Sequence, residues 1–310
     1  MKKTRFIPIL ALTALLAGCD LFGGNKMKAP SFAKEGEEVK YSEFTNALQE
    51  AVNNSEVADN NSLLGDRYEK ASVSQAEINT VKLEKKEISK SDRQMTSKSE
   101  AQYDADNLVA KVTGESKSTY KYSDDERTDS ETSSMKTESY LQFDKINGLK
   151  TLVTANAKTK TYFSTTTVTG NQTEERVFDS ATRSDMTSIF NVFSYSVPTS
   201  ESNAKEYLFY INNDVLFTLS QNTDTEDNAS PNFTLTTKVK LKAQIDLTSK
   251  KEAFRYSYEY KTEYTYKRNY EGHLEGEVVT NERKSYAEYT FTAKNVTVKP
   301  VDLDDYTLNN

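Results

Sequence analysis

The sequence predicts a mainly β protein of the α+β type, with long curved antiparallel sheets that are each covered by an amphipathic helix. Two observations carry this prediction: long runs alternate between apolar and polar residues, and two segments show apolar residues at helical spacing. The chain has 310 residues, of which 35% are hydrophobic and 28% charged. This length suits one large or two ordinary domains, and the polarity excludes repeated membrane crossing.

Each half of the chain contains one predicted amphipathic helix. Ser42, followed by Glu43, is a suitable N-cap, and an apolar stripe follows it. The residues of this stripe are Phe44, Ala47, Leu48, Ala51 and Val52. Ser184 and Asp185 predict the start of a second helix, whose stripe is Met186, Ile189, Phe190 and Phe193. Such stripes are typical of core faces, so both helices are expected to lie on an apolar sheet.

The second half of the chain predicts long strands. Along 233–247, apolar residues occupy the odd positions, with mainly Thr and Lys between them. A turn is expected at 248–252, and along 254–270 the even positions are mostly tyrosine. At roughly 3.3 Å per residue such strands reach about 50 Å, so the sheet is expected to twist and curl and to have a concave face.

Two further hairpins complete this half. One is predicted to turn at 271–276 and to return through 287–293, and the other joins 207–211 to 215–219. One apolar and one charged side on each strand predict an antiparallel sheet that is wetted on one side.

The first half is less regular. Residues 53–66 predict a polar loop, and 122–134, rich in Asp, Glu, Ser and Thr, predicts a long hairpin tip or a mobile excursion.

An internal duplication is predicted at an offset of 142 residues. Residues 42–48 align with 184–190, and 101–104 (Ala-Gln-Tyr-Asp) align with 243–246 (Ala-Gln-Ile-Asp). A shift of four residues then aligns 139–140 with 285–286, both Ser-Tyr. The proposed units, each a helix followed by an antiparallel sheet, are 39–178 and 179–310.

The N-terminus predicts export and lipid attachment. Lys2, Lys3 and Arg5 precede an apolar core at 6–16, and the only cysteine of the chain, Cys19, stands at its end. The processing site is Leu16, Ala17 and Gly18. This segment closely resembles the lipobox of bacterial lipoproteins. The resemblance implies that residues 1–18 are removed and that Cys19 receives a diacylglyceryl group; the alternative is an ordinary secretory signal with an accidental cysteine.

The predicted location is therefore the extracytoplasmic face of the cell membrane, with 19–38 as the lipidated cysteine and its tether. Removal of 1–18 lowers the net charge from −7 to about −10, which disfavours nucleic acid and anionic lipid surfaces as partners. Asp20 would favour inner-membrane retention in a two-membrane envelope and has no sorting meaning in a single-membrane one.

The exported part also resembles the LolA-like and mycobacterial LppX/LprG-like proteins. The similarity is clearest at 240–256, where a strand ends in Ile-Asp-Leu, turns through Thr-Ser-Lys and re-enters a strand at Phe254. This resemblance implies a half-barrel sheet that holds acyl chains against helices. It therefore implies an apolar, lipid-like ligand.

Residues for catalysis are scarce, and no catalytic residue, metal or cofactor is predicted. The chain has one Cys, one His and no Trp, and it contains no P-loop, dinucleotide motif or Ser-His-Asp constellation. His273 is interpreted as an exposed turn residue, the alternative being half of a weak metal site. The acidic runs 124–126, 224–227 and 302–305 are interpreted as solvated loops, the alternative being calcium binding. A glycosidase with two distant carboxylates leaves no local signature and stays open.

A tyrosine ladder on the predicted strand 254–270 is the candidate binding surface. The ladder consists of Tyr256, Tyr258, Tyr260, Tyr264 and Tyr266. Phenol rings offer apolar area with a polar rim, which suits a lipid or a glycan. The alternative is that they pack under a helix or cover a sheet face near water.

The sequence therefore predicts a non-enzymatic, membrane-anchored lipoprotein that binds or carries an apolar ligand in a concave sheet face. The alternative is a structural or interaction lipoprotein that displays its sheet to cell-wall polymer or to a protein partner.

Overall fold

The structure, a computed structural model, is mainly β and contains one large sheet. It describes residues 28–54, 66–104, 106–107, 109–145, 152–169, 172–185, 201–212, 216–247, 251–299 and 307–308. The first half contains β1 (Glu37–Val39), α1 (Tyr41–Asn54), β2 (Arg67–Leu83), β3 (Lys86–Asp104), β4 (Val109–Asp124), β5 (Thr128–Lys145), β6 (Leu152–Thr169) and β7 (Gln172–Asp185). The second half contains α2 (Glu201–Ala204), β8 (Leu208–Asn212), β9 (Leu216–Ala229), β10 (Phe233–Leu247), β11 (Lys251–Tyr266), β12 (Val278–Ala293) and β13 (Thr307–Leu308).

The sheet is continuous through both halves of the chain. Its order is β1-β8-β9-β10-β11-β12-β2-β3-β4-β5-β6-β7-β13, and every pairing is antiparallel except that of β13 with β7. The two halves join where β12 pairs with β2, from Val278 opposite Lys82 to Ala293 opposite Arg67. Both halves of the chain therefore contribute to one sheet.

The two faces of the sheet differ in composition. We call the face that α1 covers the inner face; it bears Phe217, Ile245 and Tyr258. The opposite, outer face bears charged side chains, including the ion pair of Arg255 with Glu288 at 2.7 Å. This alternation along each strand follows from the two-residue period of an extended chain.

The N-cap of helix α1 lies two residues before the predicted cap, Ser42. The Lys40 carbonyl accepts the Phe44 N–H at 3.0 Å, which makes Lys40 the N-cap. Glu43 Oε2 accepts the Lys40 N–H at 3.1 Å, as the third residue of a capping box does. The Ser42 carbonyl instead accepts the Thr45 hydroxyl at 3.1 Å.

The core lies between α1 and one end of the strands. The Phe44 ring, only 1% exposed, lies 4.7 Å from that of Phe209 on β8 and 5.6 Å from that of Phe217 on β9. Leu48, one turn later, and Phe291 on β12 belong to the same buried cluster. At roughly 25 cal/mol per Å² of apolar surface, such burial is what holds the helix on the sheet.

The second half follows its sequence pattern closely. The predicted strand 233–247 is β10, and the hairpin of β8 with β9 pairs Phe209 with Leu219 and Ile211 with Phe217. The tip at 271–276 is also confirmed, with positive φ angles at Gly272 and Gly276. The predicted turn at 248–252 is shorter than expected, because Lys251 already begins β11.

Two further predictions can be compared with the structure. Ser184 and Asp185, the predicted start of a second helix, end β7 and pair with Ala157 and Asn156, while 186–200 lie outside the described residues. Residues 122–134 form the tip of the β4–β5 hairpin, which agrees with the predicted hairpin tip and not with a mobile excursion. β4 and β5 extend through them to a tight turn, where Asp124 Oδ1 accepts the N–H groups of Glu126 and Arg127 at 2.8 Å.

The predicted tether is partly docked on the sheet. Ala33 donates its N–H to Gln244 Oε1 at 2.8 Å, and Glu35 pairs with Lys242 at 3.0 Å, both on the outer face of β10. Residues 37–39 then form β1 beside β8. The part of the predicted tether from residue 28 onward therefore lies along the sheet.

Candidate functional site

The tyrosine ladder lies on the inner face of β11, where the even positions face the same way. Tyr256, Tyr258 and Tyr260 stand opposite Ala243, Leu241 and Val239 of β10. Thr262, buried at 6% exposure, separates them from the other two members, which stand near the hairpin tip. The ladder therefore consists of two groups, one in the middle of the strand and one at the tip.

The middle group provides partly buried rings with polar ends. The rings of Tyr258 and Tyr260 are nearly parallel, at 8° and with centroids 6.3 Å apart. The hydroxyl of Tyr256 lies 3.2 Å from Ser285 Oγ. Burial, with Tyr260 nearby, raises the pKa of Tyr258, so its hydroxyl stays protonated and can donate a hydrogen bond.

A row of polar side chains continues from these rings across β12 and β2. Arg283 stands opposite Tyr260, and its Nη2 donates to Glu77 Oε1 at 3.0 Å. Asn281 Nδ2 donates to the same oxygen at 3.2 Å and to Asn79 Oδ1 at 2.6 Å. Burial alone would raise the pKa of Glu77, but these hydrogen bonds lower it, so the carboxylate stays ionised and holds Arg283 in place.

Tyr258, Arg283 and Glu77 line an open cleft of about 330 Å³ on the inner face, and Tyr260 stacks beside Tyr258. Its side chains are Gln75, Glu77, Arg93, Met95, Tyr258, Arg283 and Ser285, drawn from β2, β3, β11 and β12. Sequence reasoning identified only the tyrosine, since Arg283 and Glu77 are 206 residues apart. The cleft can offer hydrogen bonds and one aromatic surface to a polar ligand.

The tip group of the ladder packs around Phe233. The Phe233 ring lies 5.4 Å from that of Tyr264 and 6.0 Å from that of Tyr266. His273 stacks on Tyr266 at 4.3 Å, and its Nδ1 lies 2.5 Å from Glu277 Oε1. His273 is thus a half-buried turn residue with a carboxylate partner.

Within the described ranges, the structure shows no cluster of side chains that could form a metal or calcium site. No group of three or more His, Cys, Asp and Glu side chains converges there. Of the acidic runs, Asp124 caps its own turn and Asp224 pairs with Lys238 at 2.9 Å, whereas 302–305 lie outside the described residues.

The space beside α1 is filled or has a mixed lining. Phe209 and Phe217, each 2% exposed, occupy the helix–sheet contact. The pocket at the start of α1, about 550 Å³, has a mixed lining, in which charged residues such as Glu38, Lys40 and Glu201 alternate with apolar and aromatic ones. An acyl chain prefers a predominantly apolar lining, and half of the residues around this pocket are polar or charged.

The lipidation site, Cys19, and the processing residues Leu16, Ala17 and Gly18 lie outside the described residues. In the part that the structure does describe, no helix has both the length and the hydropathy needed to span a membrane.

Comparisons with known proteins leave the chain without a family. No family model matches it, and no curated protein matches it significantly. Among solved structures it is similar to the translocator domain of autotransporter NalP from Neisseria meningitidis, at 7% identity over 81% of this chain and 95% of that one, with a TM-score of 0.25. It is also similar to the transport unit of autotransporter AIDA-I from Escherichia coli, at 7% identity over 74% of this chain and 90% of that one, with a TM-score of 0.26. The outer membrane protease OmpT from Escherichia coli is similar at 7% identity over 74% of this chain and 97% of that one, with a TM-score of 0.22. Similarities of this size transfer neither a fold nor an activity.

Proposed function

We propose that this chain is a non-enzymatic lipoprotein, anchored through Cys19 to the extracytoplasmic face of the membrane, that displays its sheet to a cell-wall polymer. The observation that carries the proposal is the inner-face cleft, which Tyr258, Arg283 and Glu77 line, with Tyr260 stacked beside Tyr258. A hydroxyl-rich polymer such as a glycan can place sugar faces on the rings and bond its hydroxyls to the polar row.

The observed helix–sheet contact fits a protein that displays its sheet better than it fits a lipid carrier. Carriage requires an apolar cavity of several hundred Å³, whereas Phe44, Phe209 and Phe217 fill the contact between helix and strands. The LolA-like interpretation, with an acyl chain between helix and sheet, remains the second form of the hypothesis.

Native mass spectrometry of the purified lipoprotein tests whether it displays its sheet or carries a lipid. The protein is isolated from its membrane in mild detergent and examined by native mass spectrometry. We expect a mass that the chain and its own acyl groups account for, because no described cavity next to α1 suits a second lipid. A stoichiometric additional lipid, released only on unfolding, would overturn display in favour of carriage.

The anchor has its own test. Cys19→Ala is expected to abolish incorporation of labelled fatty acid and to move the protein out of the detergent phase in phase partitioning, because no other thiol can accept the lipid. Ser42→Ala, which leaves the cysteine intact, is the control. Continued partitioning of the Cys19→Ala variant with the detergent would overturn lipid anchoring.

The duplication is part of the proposal. At the offset of 142 residues, β4 (Val109–Asp124) falls on β11 (Lys251–Tyr266), and the matched residues 101–104 and 243–246 lie at the ends of β3 and β10. An even offset also keeps each position on the same face of the sheet. These correspondences support two related meanders that joined edges to form one sheet.

A further inference from the structure

Charge is segregated between the two faces of β2, β3, β4 and β5. On the outer face of these strands, away from the turns, seven lysines stand against four acidic residues. The lysines are Lys70, Lys90, Lys98, Lys111, Lys117, Lys121 and Lys136, and the acidic residues are Asp92, Glu100, Glu115 and Glu138. This excess of positive charge is notable in a chain whose net charge is −7.

Ion pairing leaves this excess of three positive charges unchanged. Glu100 pairs with Lys70 and Glu138 with Lys111, each at 2.7 Å, so two of the four acidic residues are already neutralised. Four of the other lysines are exposed. They are Lys98, Lys117, Lys121 and Lys136, which we call the lysine surface.

The inner face of the same strands has no comparable excess of lysine. Its described charged residues include Glu69, Glu77, Asp129 and Glu131, with Arg93 as a cation. Glu69 is fully buried, Glu77 pairs with Arg283 and Asp129 pairs with Arg127, so little of this charge is free. A negatively charged plane would therefore attract the outer face more strongly than the inner face.

The anchored end of the chain reaches the sheet at the lysine surface. Lys28 and the three residues that follow it line an outer-face cleft together with Lys98, Lys117 and Ser72. Nine peptide units separate Lys28 from Cys19, which at most span about 30 Å when fully extended. A lipid on Cys19 would thus hold this face within about 30 Å of the bilayer.

We propose that the lysine surface docks on anionic phospholipid headgroups, so that the outer face of β2–β5 rests on the membrane and the inner-face cleft points away from it. The inference depends on the proposed anchor, and it deepens the proposed function by orienting the cleft toward the cell wall. Each lysine near such a surface strengthens binding about fivefold. The net charge of the chain predicts no such attraction, because it averages over the whole chain and hides the lysine excess of this one face.

Tyr162 adds an amphipathic contact at the edge of the lysine surface. It stands opposite Lys136 in the β5–β6 register, on the outer face, and it is 45% exposed. Tyrosine favours the boundary between headgroups and acyl chains, because its ring is apolar and its hydroxyl is polar.

Lysine labelling of the reconstituted lipoprotein tests the docking. The full lipidated chain is placed in vesicles of phosphatidylcholine with or without phosphatidylglycerol, treated with a soluble amine-acylating reagent and analysed by mass spectrometry. On phosphatidylglycerol vesicles we expect labelling of the lysine surface to fall at least fivefold relative to Lys205 and Lys267, two exposed lysines elsewhere. The protection should vanish on phosphatidylcholine alone. It should also vanish at 1 M salt, where the Debye length is only about 3 Å.

Matched charge variants identify the residues. Lys117→Gln with Lys136→Gln should reduce the protection of Lys98 and Lys121 to less than twofold, whereas Lys205→Gln with Lys267→Gln, an equal loss of charge, should leave it unchanged. Equal labelling on both kinds of vesicle would overturn the docking while leaving the anchor intact. Protection by a soluble poly(glycerol phosphate) but by neither vesicle would assign the surface to a wall polymer instead. A chain that does not remain on vesicles would overturn the proposed anchor, and the docking with it.

Discussion

Asp104, the last residue of β3, accepts the backbone N–H of Val298 at 2.9 Å, although 194 residues separate them. The same carboxylate accepts the N–H of Asn107 at 2.9 Å and its side-chain amide at 2.8 Å. Val298 is 3% exposed, so the segment after β12 is packed against the sheet. One buried carboxylate therefore connects the β3–β4 turn to the C-terminal segment.

Asp104→Asn should make the protein less stable at neutral pH and less sensitive to acid. Burial alone would raise the pKa of Asp104, but its hydrogen bonds lower it below the ordinary value. A lowered folded-state pKa contributes stability above the unfolded value of about 3.9, and this contribution is lost as the pH falls through the folded value. Urea midpoints at pH 7, 5, 4 and 3 should converge between wild type and variant. Parallel curves would contradict the role of the carboxylate.

Phe44→Ala should destabilise the protein by about 3–5 kcal/mol, because it removes a buried ring from contact with Phe209 and Phe217. Denaturant unfolding followed by circular dichroism measures the change. Leu274→Ala, at a site 48% exposed, is the control and should cost no more than about 0.5 kcal/mol. A loss for Phe44→Ala as small as that of the control would mean that α1 does not anchor the core.

Gly36→Ala should detach β1 from β8. A Cβ at Gly36 would lie 2.1 Å from the Ile211 carbonyl oxygen, so one backbone segment must move, at a cost of about 1–3 kcal/mol. Hydrogen exchange of the amides of β1 and β8 should accelerate. Glu37→Ala, at an exposed position of the same strand, should leave exchange unchanged. Unaltered exchange in Gly36→Ala would show that the close approach does not restrict this position.

Tyr289→Phe should make the protein less sensitive to alkali. Burial, with a contribution from Tyr256, raises the pKa of Tyr289 to about 12. Since an unfolded tyrosine ionises near 10, the stability gained from the neutral phenol is complete below about pH 10 and is lost as the pH rises toward 12. Unfolding midpoints between pH 8 and 11 should fall less steeply in the variant than in wild type. The control, Tyr162→Phe, changes an exposed tyrosine, and its unfolding midpoints should follow those of wild type. Midpoints of Tyr289→Phe that also followed wild type would contradict the raised pKa of Tyr289.

The strands of the second half could be predicted from sequence because their two faces differ. Inner positions of β10 such as Val239 and Leu241 alternate with outer lysines, and this contrast makes the two-residue period visible. In β4 and β5 the inner positions include Ser116, Ser118 and Ser133, which are buried although they are polar. Polar residues then occupy both faces, and the period disappears from the hydrophobicity pattern while the strand remains.

The candidate cleft could be predicted only in part, for a similar reason. The tyrosines were found because they recur along one strand. Glu77 and Arg283 come from β2 and β12, which become neighbours only when the two halves of the chain join. No local spacing encodes that contact, nor the charge difference between the two faces of β2–β5, because both depend on register between distant strands.

Binding of the full lipoprotein to purified cell wall tests the central claim most directly. Three proteins are each cosedimented with wall material in detergent. They are the wild type, the double variant Tyr258→Ser with Tyr260→Ser, and the outer-face control Tyr162→Ser. We expect the double variant to bind at least tenfold more weakly, as the loss of two aromatic contacts at about 1 kcal/mol each implies, and the control to bind as wild type does. Equal binding by all three proteins would contradict the claim that the inner-face cleft is the binding site.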